Sequence, residues 1–247
     1  RACYLVKTDE NGLEEWTQQY LPAAGTTSLK GKFLDKTSDG GYLIIAYAYQ
    51  DEEVVLIKTD SLGNELWRES IVGTMNGLNS VIKASDGNYI CAGYDYSSAN
   101  HGRGFLMKIE PDGDVIWSRD YTTEGIFQGV SETSDGGFIV TGNTYAGNLW
   151  IMKVDSDGVY ENTGISTFDG ISQSHGTSVV QLSDGSYMVG GYADIATGMN
   201  NVEYLLVKYS SGLSVEWSNT YGSDWNDYAY SMIQTGEGNF ILAGKKA

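Results

Sequence analysis

The stretch SDGGYLIIAYAY at 38–49 returns as SDGNYICAGYDY at 85–96, SDGGFIVTGNTY at 134–145 and SDGSYMVGGYAD at 183–194. A period this regular dictates a repeat architecture. The acidic–glycine turn marks its phase at Asp39, Asp86, Asp135, Asp184 and Glu237, in steps of 47, 49, 49 and 53. A lysine ending an apolar run keeps the same phase at Lys7, Lys58, Lys108, Lys153 and Lys208. Tryptophan follows nine residues later, at Trp16, Trp67, Trp117 and Trp217, with Asn162 standing in the remaining copy. Three anchors in phase exclude chance.

Each unit reads as four short strands, A to D. In one copy they are LNSVIKA (78–84), NYICAGY (88–94), GFLMKIE (104–110) and VIWSRDY (115–121). The A–B and C–D links carry Asp-Gly, Ser-Gly or Asn-Gly, as two-residue hairpins with positive φ require. Strands B and C are apolar without strict alternation, the pattern of strands buried on both faces. A radial stack of sheets buries them so, which predicts a propeller. Complete units occupy roughly 31–73, 77–121, 126–168 and 175–221. The opening segment 1–20 supplies a C–D pair, and 226–247 supplies an A–B pair. The expectation is one all-β domain over 1–247: a five-bladed β-propeller with four antiparallel strands per blade. The N-terminal C–D strands would close it by pairing with the C-terminal A–B strands, which removes the open edges. Pairing of the halves between molecules is the alternative.

The unit SDGGY, an apolar run ending in Gly-Tyr, then Leu-Ile-Lys-x-Asp-x-x-Gly-Asn-x-x-Trp, resembles β-propeller repeats of secreted and cell-surface proteins of bacteria and archaea. The resemblance covers essentially the whole chain and is specific for fold. It implies an extracellular or cell-surface setting and an adhesion or interaction role, in some cases within a larger surface assembly. The segment KTDSLGNELW (58–67) also looks like the strand-turn-strand of quinoprotein propellers. Those have eight blades and a dedicated cofactor pocket, so no cofactor is carried over.

Residues that recur in every blade serve the scaffold. The tryptophans are expected to pack between blades, with Asn162 leaving its seam less well filled. The small residues near the end of strand B (Ala46, Gly93, Gly142, Gly191, Gly244) should let neighbouring sheets approach closely. The lysines should pair with the acid two residues on, such as Asp9, Asp60 and Asp155. Cys3 and Cys91 fall in non-adjacent blades and are expected as free, buried thiols.

The chain carries 32 acidic against 15 basic residues, net −17. That disfavours nucleic acid and anionic lipid and favours divalent cations or a basic partner. No apolar run approaches the ~20 residues of a membrane helix. The opening RACYLVK has no initiator Met and no secretion-type leader, as expected of a mature or excised piece. His101 and His175 belong to no metal-spaced cluster. In DSDG (155–158), Ser166 stands where a calcium loop needs Glu, so the run reads as an ordinary turn. Asp224, Asn226 and Asp227 form the one calcium candidate retained. For a glycosidase the inner strand offers Asp35 and Glu132, at different heights, which is no convincing acid/base pair.

The B–C and D–A loops gather on one face and vary, whereas the opposite face carries uniform hairpins. The D–A loops are read as 122–129, 169–176 and 222–229. The variable face supplies Tyr49, Tyr94, Tyr96, His101, Arg103, Phe127, Tyr145, His175, Tyr192, Trp225 and Tyr228. Rigid aromatics beside amides and carboxylates suit recognition of protein or glycan. The expected function is a non-catalytic binding, adhesion or scaffold module. The alternative is a polysaccharide-active glycosidase or lyase working in the central funnel.

Overall fold

The structure, a computed structural model, describes residues 1–23, 28–48, 52–71, 76–96, 102–196, 201–222 and 225–246. The described residues contain strands and turns and no helix. Among the described residues no helix is long and apolar enough to cross a membrane. The first blade is an antiparallel sheet of β3 (Leu29–Lys36), β4 (Tyr42–Ala48), β5 (Glu53–Thr59) and β6 (Glu65–Ile71), in chain order. The fourth repeats it with β14 (Ile171–Gln181), β15 (Tyr187–Ile195), β16 (Asn201–Tyr209) and β17 (Val215–Tyr221). Between them run β7 (Gly77–Lys83), β8 (Tyr89–Asp95), β9 (Arg103–Ile109), β10 (Val115–Glu132), β11 (Phe138–Thr144), β12 (Leu149–Val154) and β13 (Tyr160–Ser166). The 18-residue β10 serves two blades: its first part pairs with β9 and its second with β11.

The expected loop at 122–129 is therefore strand, and so is most of 169–176. Backbone pairing accounts for both. The Gly125 N–H donates to the Gly102 carbonyl, and β14 pairs with β15 out to Ile171–Ile195.

Burial on both faces explains the apolar B and C strands. Leu43, Ile45 and Leu56 pack against Val81, Cys91 and Met107 of the second blade. On the other face of the first blade, Ile44 and Ile57 pack against Cys3 and Leu5. The same interleaving joins second to third blade and third to fourth. The inner strands meet across seams: the Asn79 side chain donates to the Phe127 carbonyl, Ser131 to that of Val179 and Thr177 to that of Ala229.

Several expectations are corrected. The hairpin links hold three residues, not two. The Gly40 N–H donates to the Thr37 carbonyl and Thr37 N–H to that of Gly41, a type I turn followed by a left-handed glycine at φ 84°. The glycines of strand B meet their own sheet, not the next. A Cβ at Gly142, Gly191 or Gly244 would strike the carbonyl of Ile126, His175 or Tyr228, where the A strands bulge. The lysines pair across to the A–B turn: Lys58–Asp39 at 2.8 Å, Lys108–Asp86 at 2.7 Å, Lys153–Asp135 at 3.0 Å and Lys208–Asp184 at 3.5 Å. Asp9, Asp60 and Asp155 instead accept backbone N–H groups of their own C–D turns.

Trp16 and Trp117 do pack between blades, their rings lying over Gly63 and Gly158 of the next C–D turn. Asn162 does not leave its seam poorly filled. Its Nδ2 donates to the Gly212 carbonyl at 3.1 Å, and Leu213 is buried there, against Gly164. Cys3 and Cys91 are free and buried, and burial pushes the Cys91 thiol up to about 12.

The expected closing pairing is not formed. The strands β1 (Cys3–Thr8) and β2 (Glu14–Tyr20) make one two-stranded sheet, and β18 (Asp227–Gln234) and β19 (Phe240–Lys246) another. Face packing on the neighbouring complete blade holds each hairpin without the other. Cys3 and Leu5 anchor the first, and Met232 anchors the second.

Candidate functional site

The loop-face candidates separate once placed. Tyr94, near the end of β8, and Tyr192, within β15, are on the B strands of the second and fourth blades and line one cavity of 390 Å³. Its other walls come from the inner strands: Asn79, Ile126, Gln128, Thr177 and Tyr230. Beside it, the His175 ring stacks on Tyr192 at 4.7 Å and 19°, and Tyr228 meets Tyr192 edge-on at 5.1 Å. Tyr230 lies 6.5 Å from Tyr228, nearly parallel to it. The wall amides are held in place. Asn79 donates to the Phe127 carbonyl at 2.8 Å, and Gln128 Nε2 donates to Asn143 Oδ1 at 2.8 Å. The result is a rigid cleft of phenol and amide groups where the inner strands converge.

Burial sets the charge state of this cluster. It lowers His175 below the ordinary histidine range, opposed by the Asp194 carboxylate. It raises the Tyr192 phenol, with Asp194 acting in the same direction. At neutral pH His175 therefore presents a neutral imidazole and Tyr192 a neutral phenol, groups that hydrogen-bond without net charge.

Other candidates do not join it. Phe127 is fully buried, stacked on Trp150 at 4.4 Å, because the stretch expected as a loop is strand. Arg103 reaches Asp120 at 3.4 Å on the outer strands. Tyr96 packs edge-on against Tyr94 at 5.1 Å and is half exposed, at the rim. Tyr145 and Trp225 do not line the cleft, and each is 66% exposed. Tyr49, His101 and Asp224 lie outside the described residues.

The calcium candidate is correspondingly weak. Asn226 Oδ1 accepts the Val202 N–H at 3.1 Å, and Asp227 is buried in β18. The cluster among the described residues that meets the geometry for an ion is Glu110, Asp112 and Asp114, all exposed on a C–D turn. Asp35 and Glu132, weighed for sugar hydrolysis, bridge blades instead. Asp35 accepts from Lys83 at 2.5 Å and from the Tyr89 hydroxyl at 2.7 Å, and Glu132 accepts from Ser85. Burial alone would raise Asp35, but these bonds outweigh it and hold the carboxyl below its usual range.

Asn79, Gln128, Thr177 and Tyr230 were not among the expected site residues. Each lies seven positions before the turn acid of its blade. A position that varies freely within a repeated inner strand was the available signal.

No family profile and no curated protein sequence matches the chain. Solved structures do. A structure of YCF48 bound to D1 peptide aligns at 12% identity and TM-score 0.54, over 94% of this chain and 66% of that one. Sqt1 of Chaetomium thermophilum, bound to the N-terminus of ribosomal protein L10, aligns at 11% and 0.52, over 98% and 75%. An exo-beta-1,3-galactanase of Phanerochaete chrysosporium aligns at 14% and 0.52, over 98% and 60%. YCF48 and Sqt1 are β-propeller proteins. The chain is thus an all-β protein of propeller fold, built from antiparallel four-stranded blades. At these identities the likeness carries the fold alone.

Proposed function

We propose that the protein is a non-catalytic recognition module of the cell surface or extracellular space, binding a protein segment or a glycan at the inner cleft. The observation that carries this reading is the convergence of Tyr94, Gln128, Thr177, Tyr192 and Tyr230 around one 390 Å³ cavity. Tyrosine gives flat contact area at low entropic cost, and fixed amides orient a polar ligand. Two structural neighbours were solved with a peptide or protein terminus bound, which favours a protein segment. The alternative of sugar cleavage loses support because Asp35 and Glu132 bridge blades. The reading needs no cofactor or metal. Its finer structural part is a fifth blade made of the two half-blades, β18–β19 supplying A and B and β1–β2 supplying C and D.

Peptide and glycan arrays identify the ligand, and alanine at Tyr94 and Tyr192 then tests the cleft. Each change is expected to weaken binding at least about tenfold, in line with loss of a central aromatic contact. Trp225→Ala and Tyr96→Ala should have small effects. If these two abolish binding while Tyr94→Ala and Tyr192→Ala leave it intact, recognition lies on the rim and the cleft assignment is wrong.

A further inference from the structure

The open seam holds unfinished copies of two locks made elsewhere in the ring, a lysine–turn-acid pair and a tryptophan over a turn glycine. In each complete blade the C-strand lysine bonds the acid of the A–B turn, at 2.7–3.5 Å. The corresponding pair in the half-blades is Lys7 and Glu237. Among the described residues, Lys7 pairs with Glu15 on its own hairpin, and the Glu237 carboxylate accepts from the Asn239 side chain.

The tryptophan lock repeats the theme. Trp16 and Trp117 cover Gly63 and Gly158, and Tyr20 and Tyr121 donate to those glycines' carbonyls at 2.7 and 2.9 Å. Trp217 and Tyr221 are the equivalents on the fourth blade, and Gly12 is their counterpart on the N-terminal hairpin. A Cβ at Gly12 would meet nothing within 4 Å, while Trp217 is 37% and Tyr221 52% exposed. A 270 Å³ groove lined by Tyr4, Leu5, Phe33, Leu34 and Ile44 lies beside β1, where an A–B hairpin belongs.

We propose that this seam is a self-association surface whose occupant is a second copy of the chain. Strand β19 of one copy pairs antiparallel with β1 of the other, and the two half-blades become one blade. The second copy is the occupant because each chain displays both complementary edges, while its own β1 and β19 stand in separate sheets. Charge fits as well: in an acidic chain, Lys7 meets Glu237. The register follows from the β4–β5 ladder, where Leu43 faces Lys58 and Ile44 faces Ile57. It sets Ile241 opposite Lys7 and Leu242 opposite Val6. This inference rests on the fifth-blade reading, and the test separates the two.

Two full-length variants, Val6→Cys and Leu242→Cys, are made in separate chains, mixed and oxidised. The native thiols are buried, so the new ones dominate. The expected result is a mixed disulfide dimer well above either self-pair, with a mass that rises with protein concentration. Lys7→Glu should weaken association at least tenfold, and adding Glu237→Lys should restore it. A double variant carrying both cysteines distinguishes the outcomes. A disulfide formed only within monomers overturns association between copies and keeps the fifth blade. A monomer that forms no disulfide in either format overturns both.

Discussion

The seam between the second and third blades and the open one between the fourth blade and the N-terminal hairpin use the same residue types at the same phase. In the first, Trp117 is 8% exposed, its Nε1 donates to the Ser156 carbonyl at 3.2 Å, and its ring covers Gly158. In the second, Trp217 faces solvent and Gly12 has no neighbour in reach. A lock of this kind belongs to two sheets and not to one strand, so one side chain is core in one place and surface in another. Removing it should therefore cost very different amounts. Trp117→Ala is expected to destabilise by about 3–5 kcal/mol, the range for a buried large aromatic. Trp217→Ala in dilute monomer should cost under about 1 kcal/mol, as for other surface changes. Urea denaturation of the two variants checks this. Equal losses would mean that the open seam is packed in solution.

The seam between the third and fourth blades sharpens the comparison, because it is closed by different residues. Where Trp16 and Trp117 lie over Gly63 and Gly158, this seam has Asn162 donating to the Gly212 carbonyl and Leu213 packed against Gly164. Leu213 takes the phase of Gly63 and Gly158 and keeps their left-handed backbone, at φ 62°. The hydroxyl moves too: Ser166 stands at the place of Tyr20 and Tyr121, and Tyr209 from the facing blade donates to it at 2.8 Å. Bulk and hydroxyl have crossed the seam together. Asn162→Trp alone should overpack against Leu213 and cost about 1–3 kcal/mol. Leu213→Gly alone loses a buried side chain but relieves a strained φ, so its cost should be smaller than an ordinary core truncation. Combined, the two should recover about 1 kcal/mol or more relative to their sum, as expected of residues in contact. Additive losses in a double-mutant cycle would show that the seam does not treat them as a pair.

That seam also shows what could be read in advance. The phase of the turn acids, lysines and tryptophans was enough for the blade, the strand order and the buried B and C strands. It was enough to flag Asn162 as an exception. Its compensation at Leu213 lay 51 residues away and needed knowledge of which positions meet across a seam. The extension of β10 through 122–129 was hidden because its backbone pairing with 102–103 and β11 leaves no mark in side-chain pattern. Phe127 was misplaced for that reason. The cleft was half legible. Tyr94, His175, Tyr192 and Tyr228 could be named from the variable stretches read as loops, although His175 and Tyr192 lie within β14 and β15. Asn79, Gln128 and Thr177 look like ordinary polar strand residues until the inner strands are brought together.

The smallest expected difference concerns acid. In the third blade Asp135 accepts from the Thr133 hydroxyl and the Gly137 N–H and pairs with Lys153, which holds its carboxyl down at about 2. Asp39 in the first blade is held below the usual range as well, mainly by Lys58 and Thr37. A depressed carboxyl contributes stability that is complete above its unfolded value, about 3.9. That contribution disappears as pH falls from about 4 through about 2. Glu237, at the open seam, has no lysine partner among the described residues. Asp135→Asn should therefore flatten the loss of thermal stability between pH 4 and pH 2, by under about 1 kcal/mol for so exposed a pair. Glu237→Gln is the matching substitution at the open seam. At concentrations where copies associate, Glu237 meets Lys7, and the same substitution should begin to flatten the acid limb. A Glu237→Gln profile that does not depend on concentration would count against a fifth turn-acid contact formed by association.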